Sequence, residues 1–156
     1  MPLLIEKPRL LVVESPVHAE FADALLTGAR QAIAAADAEF DVVTAPGPLD
    51  IAGVIALAEE GGHRPAGVRY DGYVALGCLV RDETYQFVVA AHETVRALVD
   101  LTIGKRLVIG NGVLNVETLD QARERIFAPG GGVGASAARA CLQMLGLKRK
   151  LLGATR

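Results

Sequence analysis

The sequence lacks tryptophan and holds only three tyrosines and four phenylalanines in 156 residues. Its hydrophobic fraction of 51% is therefore mostly Ala, Val, Leu and Ile, the composition of buried parallel strands under alanine-rich helices. Long apolar runs are missing too. The longest are stretches such as Val74–Val80, far short of the roughly 20 residues that span a membrane. The first ten residues carry Pro2, Glu6, Lys7, Pro8 and Arg9 and no apolar signal-peptide core. No charge of either sign dominates. Sixteen Lys and Arg against 18 Asp and Glu leave a net charge of -2, which argues against nucleic-acid and membrane-surface partners. Cysteine is scarce, with Cys78 and Cys141 far apart and outside any CxxC or zinc spacing. They read as buried free thiols in a reducing cytoplasm. Neither GxGxxG nor the P-loop pattern occurs at a strand end, so a nucleotide site has no motif support.

What is present is alternation. Four apolar runs, 10–13, 40–45, 73–80 and 106–114, read as strands covered on both faces, because none alternates with period two. Helical patterns separate them. Phe21, Leu25, Ala29, Ala32, Ile33 and Ala36 form one stripe, and a second helix spans about 50–60. A third helix places Phe87, Ala91, Val95, Leu98 and Thr102 inward, with Glu93, Arg96 and Asp100 outward. A short helix follows at about 117–125. The last runs from Ser136, with Ala137, Ala140, Cys141, Met144 and Leu145 on its buried face. One domain with a parallel sheet between two helical layers is the expected architecture.

In such sheets ligands bind outside the carboxyl ends of the strands. The segments there are Glu14–His18, Ala45–Asp50, Gly77–Thr84 and Gly110–Asn115. At these ends the chain resembles the lumazine synthase family. The stretches ADALLTGA (22–29), DVVTAPGPLDI (41–51), YDGYVALGCLVRDETYQF (70–87), IGNGVLNVET (109–118) and AARACLQMLGLKRK (137–150) follow the family's order and spacing. They include counterparts of its VPGA(L/F)EI and ALGxVIRGETxHF motifs. The resemblance implies a flavodoxin-like, three-layer α/β/α fold with a four-stranded parallel sheet. Residues 9–150 would form the domain, 1–8 an N-terminal extension and 151–156 a C-terminal tail. It also implies a cytoplasmic transferase of riboflavin biosynthesis that condenses 5-amino-6-ribitylamino-uracil with 3,4-dihydroxy-2-butanone 4-phosphate. No metal or organic cofactor is implied. The partner is the chain itself, in a pentamer that builds decamers or a 60-subunit shell in some members, with active sites between neighbouring subunits.

Carried over by position, Pro48, Leu49 and Asp50 hold the ribityl chain, and Cys78, Leu79 and Val80 line the uracil. Asp50 equally suits a helix N-cap. Glu83 and Thr84 match the phosphate-binding dipeptide at a helix N-terminus, Arg125 the arginine that completes that site, and Asn111 a base-contacting position or else a turn residue. Several positions depart from the family pattern. Gln86 stands where the family has its acid/base histidine, and an amide cannot carry a proton near neutral pH. Val17 replaces the aromatic that stacks on the uracil, and Asp82 replaces the glycine of RGET. Val133 stands at a lysine position, within a glycine-rich loop at 128–135. His92 lies about 120° round the helix from Gln86, which makes His18 the better substitute acid. His63 reads as a solvated turn residue. These departures motivate a second reading, a catalytically silent or engineered homologue kept as a pentameric or cage-forming scaffold.

Overall fold

The computed structural model describes residues 7–153, so most of the expected N-terminal extension and the last three residues of the tail lie outside the described residues. In chain order the elements are β1 (Arg9–Glu14), α1 (Ala19–Ala35), β2 (Glu39–Thr44), a 3-10 turn (Pro48–Asp50), α2 (Ile51–Gly62), β3 (Gly72–Val80), α3 (Gln86–Gly104), β4 (Ile109–Val116), α4 (Leu119–Ile126) and α5 (Gly132–Leu152). The sheet is wholly parallel, ordered β2-β1-β3-β4. It is the three-layer, flavodoxin-like arrangement expected.

Strand parity divides the core. Leu10, Val12, Val74 and Leu76 point toward α1, α4 and α5, where Phe21, Leu25, Ala29, Ile33 and Cys141 meet them. Leu11, Val13, Tyr73 and Ala75 point the other way, onto Ile51, Ile55, Phe87, Ala90 and Leu98 of α2 and α3. Successive residues of β1 and β3 thus feed both layers, which is why those runs are continuously apolar. β2 departs from the expectation of two covered faces. It is the outer strand beside β1, and Glu39, Val42 and Thr44 remain exposed.

Four helix and strand assignments also need correction. Lys105 ends α3 and Arg106 has a φ of 56°, so the chain turns there and pairing begins only at Ile109, opposite Tyr73. β4 then continues to Val116, which puts Asn111 inside a strand and not in a turn. On α3 the buried seam is Phe87, Ala90, Thr94 and Leu98, one residue round from the stripe expected, while Glu93 and Asp100 do pair outward with Arg96. The Thr94 hydroxyl is buried without a hydrogen-bond partner among the described residues, and no sequence signal marked it. α5 starts at Gly132, so the glycine-rich segment is partly helix, with Val133 in its first turn. Its buried face is Gly134, Ala135, Ala137, Ala138, Cys141 and Leu145, while Ala140 and Met144 are exposed. Ala36 likewise lies exposed beyond α1.

The cause of the α5 difference is close backbone contact with α1. A Cβ on Gly134 would overlap the carbonyl oxygen of Leu25, and one on Gly28 would overlap that of Gly131. The glycines serve helix approach more than chain flexibility. Cys141 is fully buried, and desolvation pushes its thiol up to about 12, whereas Cys78 is only half-buried, so the expectation of two buried thiols holds for one of them.

At the amino ends of the strands, Arg9 Nε donates to Asp41 Oδ2 at 3.0 Å and its Nη2 to the same carboxylate at 2.8 Å. The Tyr70 hydroxyl donates to Asp41 Oδ2 at 2.7 Å. Tyr70 and Arg9 together hold the Asp41 carboxyl below the usual carboxylate range. Burial and Asp41 push the Tyr70 phenol up to about 12, which keeps it a donor. A depressed carboxyl contributes stability above its unfolded-state pKa and loses it as pH falls. The Asp41 side chain keeps 39% of its exposure, so after solvent screening the expected contribution is only about 0.5–1 kcal/mol. Asp41→Asn is expected to lower Tm at pH 7, with the difference closing below about pH 4. A gap that persists unchanged at pH 3 would refute the assignment.

Candidate functional site

The carboxyl ends of β2 and β3 open into a groove of about 340 Å³ lined by Gly47, Pro48, Leu49, Asp50, Leu79, Val80, Asp82, Gln86, Phe87 and Ala90. Its position follows from the topology: β2 and β3 flank β1, and the chain leaves both toward the α2/α3 layer. Pro48 starts the 3-10 turn, where its fixed φ suits a first helical position, and the turn leads directly into α2. Gln86 opens α3. Phe87 and Ala90 follow one and four positions later and supply the apolar wall. The lining is largely aliphatic, with side-chain polarity from Asp50, Asp82 and Gln86, the build expected of a small-molecule site. A second hollow, by Glu59, His63 and Tyr70 at the opposite sheet end, has only about 10 Å³, at most one water.

Asp50 occupies the N-cap position of α2 but makes no capping hydrogen bond, because its own backbone is already helical. The capping alternative is therefore replaced by a carboxylate on the groove wall. The loop from β3 to α3 is more committed. Arg81 Nε donates to Glu117 Oε2 at 2.6 Å, and its guanidinium lies 5.1 Å from the centre of the Phe87 ring. Asp82 Oδ1 accepts from the backbone amide of Thr84 and from its hydroxyl, each at 2.8 Å. These bonds hold the Asp82 carboxyl below the usual range.

The groove thus unites Pro48, Leu49, Asp50, Leu79, Val80, Asp82 and Gln86 of the residues singled out in the sequence, and adds Gly47, Phe87 and Ala90. Phe87 was legible only as core, and Ala90 was not singled out because the expected stripe ran through Ala91. Their positions one and four residues after Gln86 were the available signal. Glu83 and Thr84 are exposed in the adjoining loop. The Cys78 and Val17 side chains pack against the core under α1 and α5. His18 precedes α1 with its ring edge-on to Phe21, and His92 is exposed on α3, so neither lines the groove. His63 is the exposed turn residue expected, directly after α2, with its Nε2 3.5 Å from Glu59 Oε1.

Arg125 and Asn111 lie away from their own chain's groove. Arg125 is on α4, in the layer beyond the sheet, and donates to the Gln121 carbonyl at 3.1 Å. Asn111 is exposed on the edge strand β4, its Oδ1 accepting from the Val113 amide at 2.9 Å. Among the described residues no three His, Cys, Asp or Glu side chains are placed to hold a metal ion, and no helix is long and apolar enough to cross a membrane.

Fold and groove together define an open, parallel α/β protein with a small-molecule cleft outside the carboxyl ends of its strands. Comparison with known proteins then gives the family. The family model of 6,7-dimethyl-8-ribityllumazine synthase matches residues 7–149, and the chain belongs to that family. It is 46% identical to the 6,7-dimethyl-8-ribityllumazine synthase of Agrobacterium fabrum over 149 residues, covering 96% of this chain and 100% of the relative. Its identity to the Bartonella tribocorum enzyme of that name is 46% over 145 residues, 93% of each chain. Identity to 6,7-dimethyl-8-ribityllumazine synthase 1 of Rhizobium meliloti is 45% over 147 residues, 94% of this chain and 95% of the relative.

Proposed function

We propose that the chain condenses 5-amino-6-ribitylamino-uracil with 3,4-dihydroxy-2-butanone 4-phosphate to form the lumazine, releasing water and inorganic phosphate. The observation that carries this is the groove itself: of the residues assigned to the ribityl chain and the uracil, Pro48–Asp50, Leu79 and Val80, though not Cys78, line it together with Gln86. In this reading Asp50 accepts hydrogen bonds from ribityl hydroxyls, and Leu79 and Val80 cover the ring. Glu83 and Thr84 receive the phosphate at the start of α3. The sites form between copies of the chain in a pentamer, where Arg125 and Asn111, distant from their own groove, face that of a neighbour. The large apolar residues left exposed, Leu57, Tyr85 and Ile103 among them, are consistent with such packing.

Gln86 orients a substrate by hydrogen bonding but does not shuttle protons, so rate derives mainly from holding the two substrates together in a largely aliphatic cleft. The test is direct: purified protein with both substrates, followed by lumazine fluorescence, with light scattering on the same sample. Product above the spontaneous rate from a pentamer is expected. An intact pentamer without product would instead mark a silent assembly subunit. Within the same assay, Asp50→Ala is expected to raise KM for the pyrimidine about 10- to 100-fold, as for a lost hydrogen bond to a charged group, and to leave KM for the phosphorylated partner unchanged. Equal effects on both constants would remove Asp50 from its assigned role.

A further inference from the structure

The loop that joins β3 to α3 already contains an anion at its donors. Asp82 Oδ1 takes both the amide and the hydroxyl of Thr84 at 2.8 Å, and Asp82 also lines the groove. Those two groups are the donors a phosphate would need under the reading proposed above, on which this inference rests. The loop offers no uncommitted cation to offset the carboxylate. Its arginine, Arg81, pairs with Glu117 at 2.6 Å and lies over Phe87, and the next residue, Glu83, adds a second negative charge.

We propose that Asp82 is an intramolecular competitor for the phosphate of the four-carbon substrate, and that it sets a weak affinity for that substrate while leaving pyrimidine binding alone. An incoming phosphate must displace the carboxylate from Thr84 and then remain beside it. Both steps oppose binding, and the like-charge part is strongest at low ionic strength because the loop is exposed. Asp82 is therefore a specificity-determining residue acting against a charged ligand, in the manner of built-in repulsion between wrong partners.

The test titrates inorganic phosphate into the full-length parent protein, Asp82→Asn and Asp82→Ala, by calorimetry at low and high salt. Asp82→Asn keeps the acceptor oxygen and removes the charge. Asp82→Ala frees the Thr84 donors as well. Phosphate binding tighter by about tenfold in Asp82→Asn, at least as tight in Asp82→Ala, and with a smaller gain at high salt is the expected result. In turnover, KM for the phosphorylated substrate falls and KM for the pyrimidine does not. Weaker binding in Asp82→Ala would overturn the proposal, because it would make Asp82 an organiser of a phosphate loop. Equal affinity in all three proteins, or no binding in any, overturns it as well. Phosphate titration needs no turnover, so a parent that binds phosphate as expected yet forms no lumazine would count against the proposed function alone.

Discussion

Gly134→Ala is expected to cost about 3 kcal/mol or more, the upper end for forcing extra volume into a packed interior. The added Cβ would overlap the Leu25 carbonyl oxygen and crowd the carbon atoms beside it. Neither can yield locally. Leu25 lies mid-helix in α1 with its side chain in the core, and α5 is held by Cys141 and Leu145 in the same cluster. Relief requires α1 and α5 to move apart, which opens voids along that layer. A fall in Tm of roughly 10 °C follows for a chain of this size. Gly53→Ala is the matched control. It lies in α2, and a Cβ added there would meet nothing within 4 Å, so helix propensity alone applies and a gain of about 0.5–1 kcal/mol is expected. A Gly134→Ala melt that overlays the parent's would show that the two helices do not pack this closely in solution.

The second large effect is catalytic. Gln86→His is expected to raise kcat by about 10²-fold, the lower end of what general acid–base help supplies. The gain stays at the lower end because Val17 still offers no ring to stack on and Asp82 still occupies the Thr84 donors. Position 86 lines the groove at the first turn of α3, where the proposed reading puts the substrate. The variant should also acquire a rate dependence on pH centred near an ordinary histidine value, about 6.5, where the parent is flat. Stopped-flow or steady-state fluorescence across roughly pH 5.5–8 would measure both. An unchanged rate would mean that residue 86 does not reach the transferred proton. Full recovery to the rate of ordinary family members would mean that Val17 and Asp82 do not disturb the pocket.

The fold was legible because its signals are local. Leu10–Val13 and Tyr73–Val80 are continuously apolar, and only strands buried on both faces need that pattern. The errors arose where tertiary contact overrides local preference. Glycines at 130–134 read as a loop, yet Gly132 begins α5 and Gly134 lies within it, where the carbonyls of Ile126 in α4 and Leu25 in α1 respectively pass too close for a side chain. Thr94 carries no sequence signal of burial, yet it completes the α3 seam.

The site divides the same way. Residue order placed Pro48, Leu49, Asp50, Leu79 and Val80 at strand ends, the family resemblance singled out Gln86, and the parallel topology brings them together. The scarcity of aromatic residues, visible in composition, extends to the loop after β1, where Val17 stands. Three matters only the tertiary structure decided. Asp50 faces the groove without capping α2, because the preceding 3-10 turn already sets its backbone. Asp82 holds the donors of Thr84, a bond that depends on how the loop bends. Arg125 and Asn111 lie on the far layer and the free edge, which sequence spacing cannot reveal because distance along a chain says nothing about which side of a sheet a residue reaches.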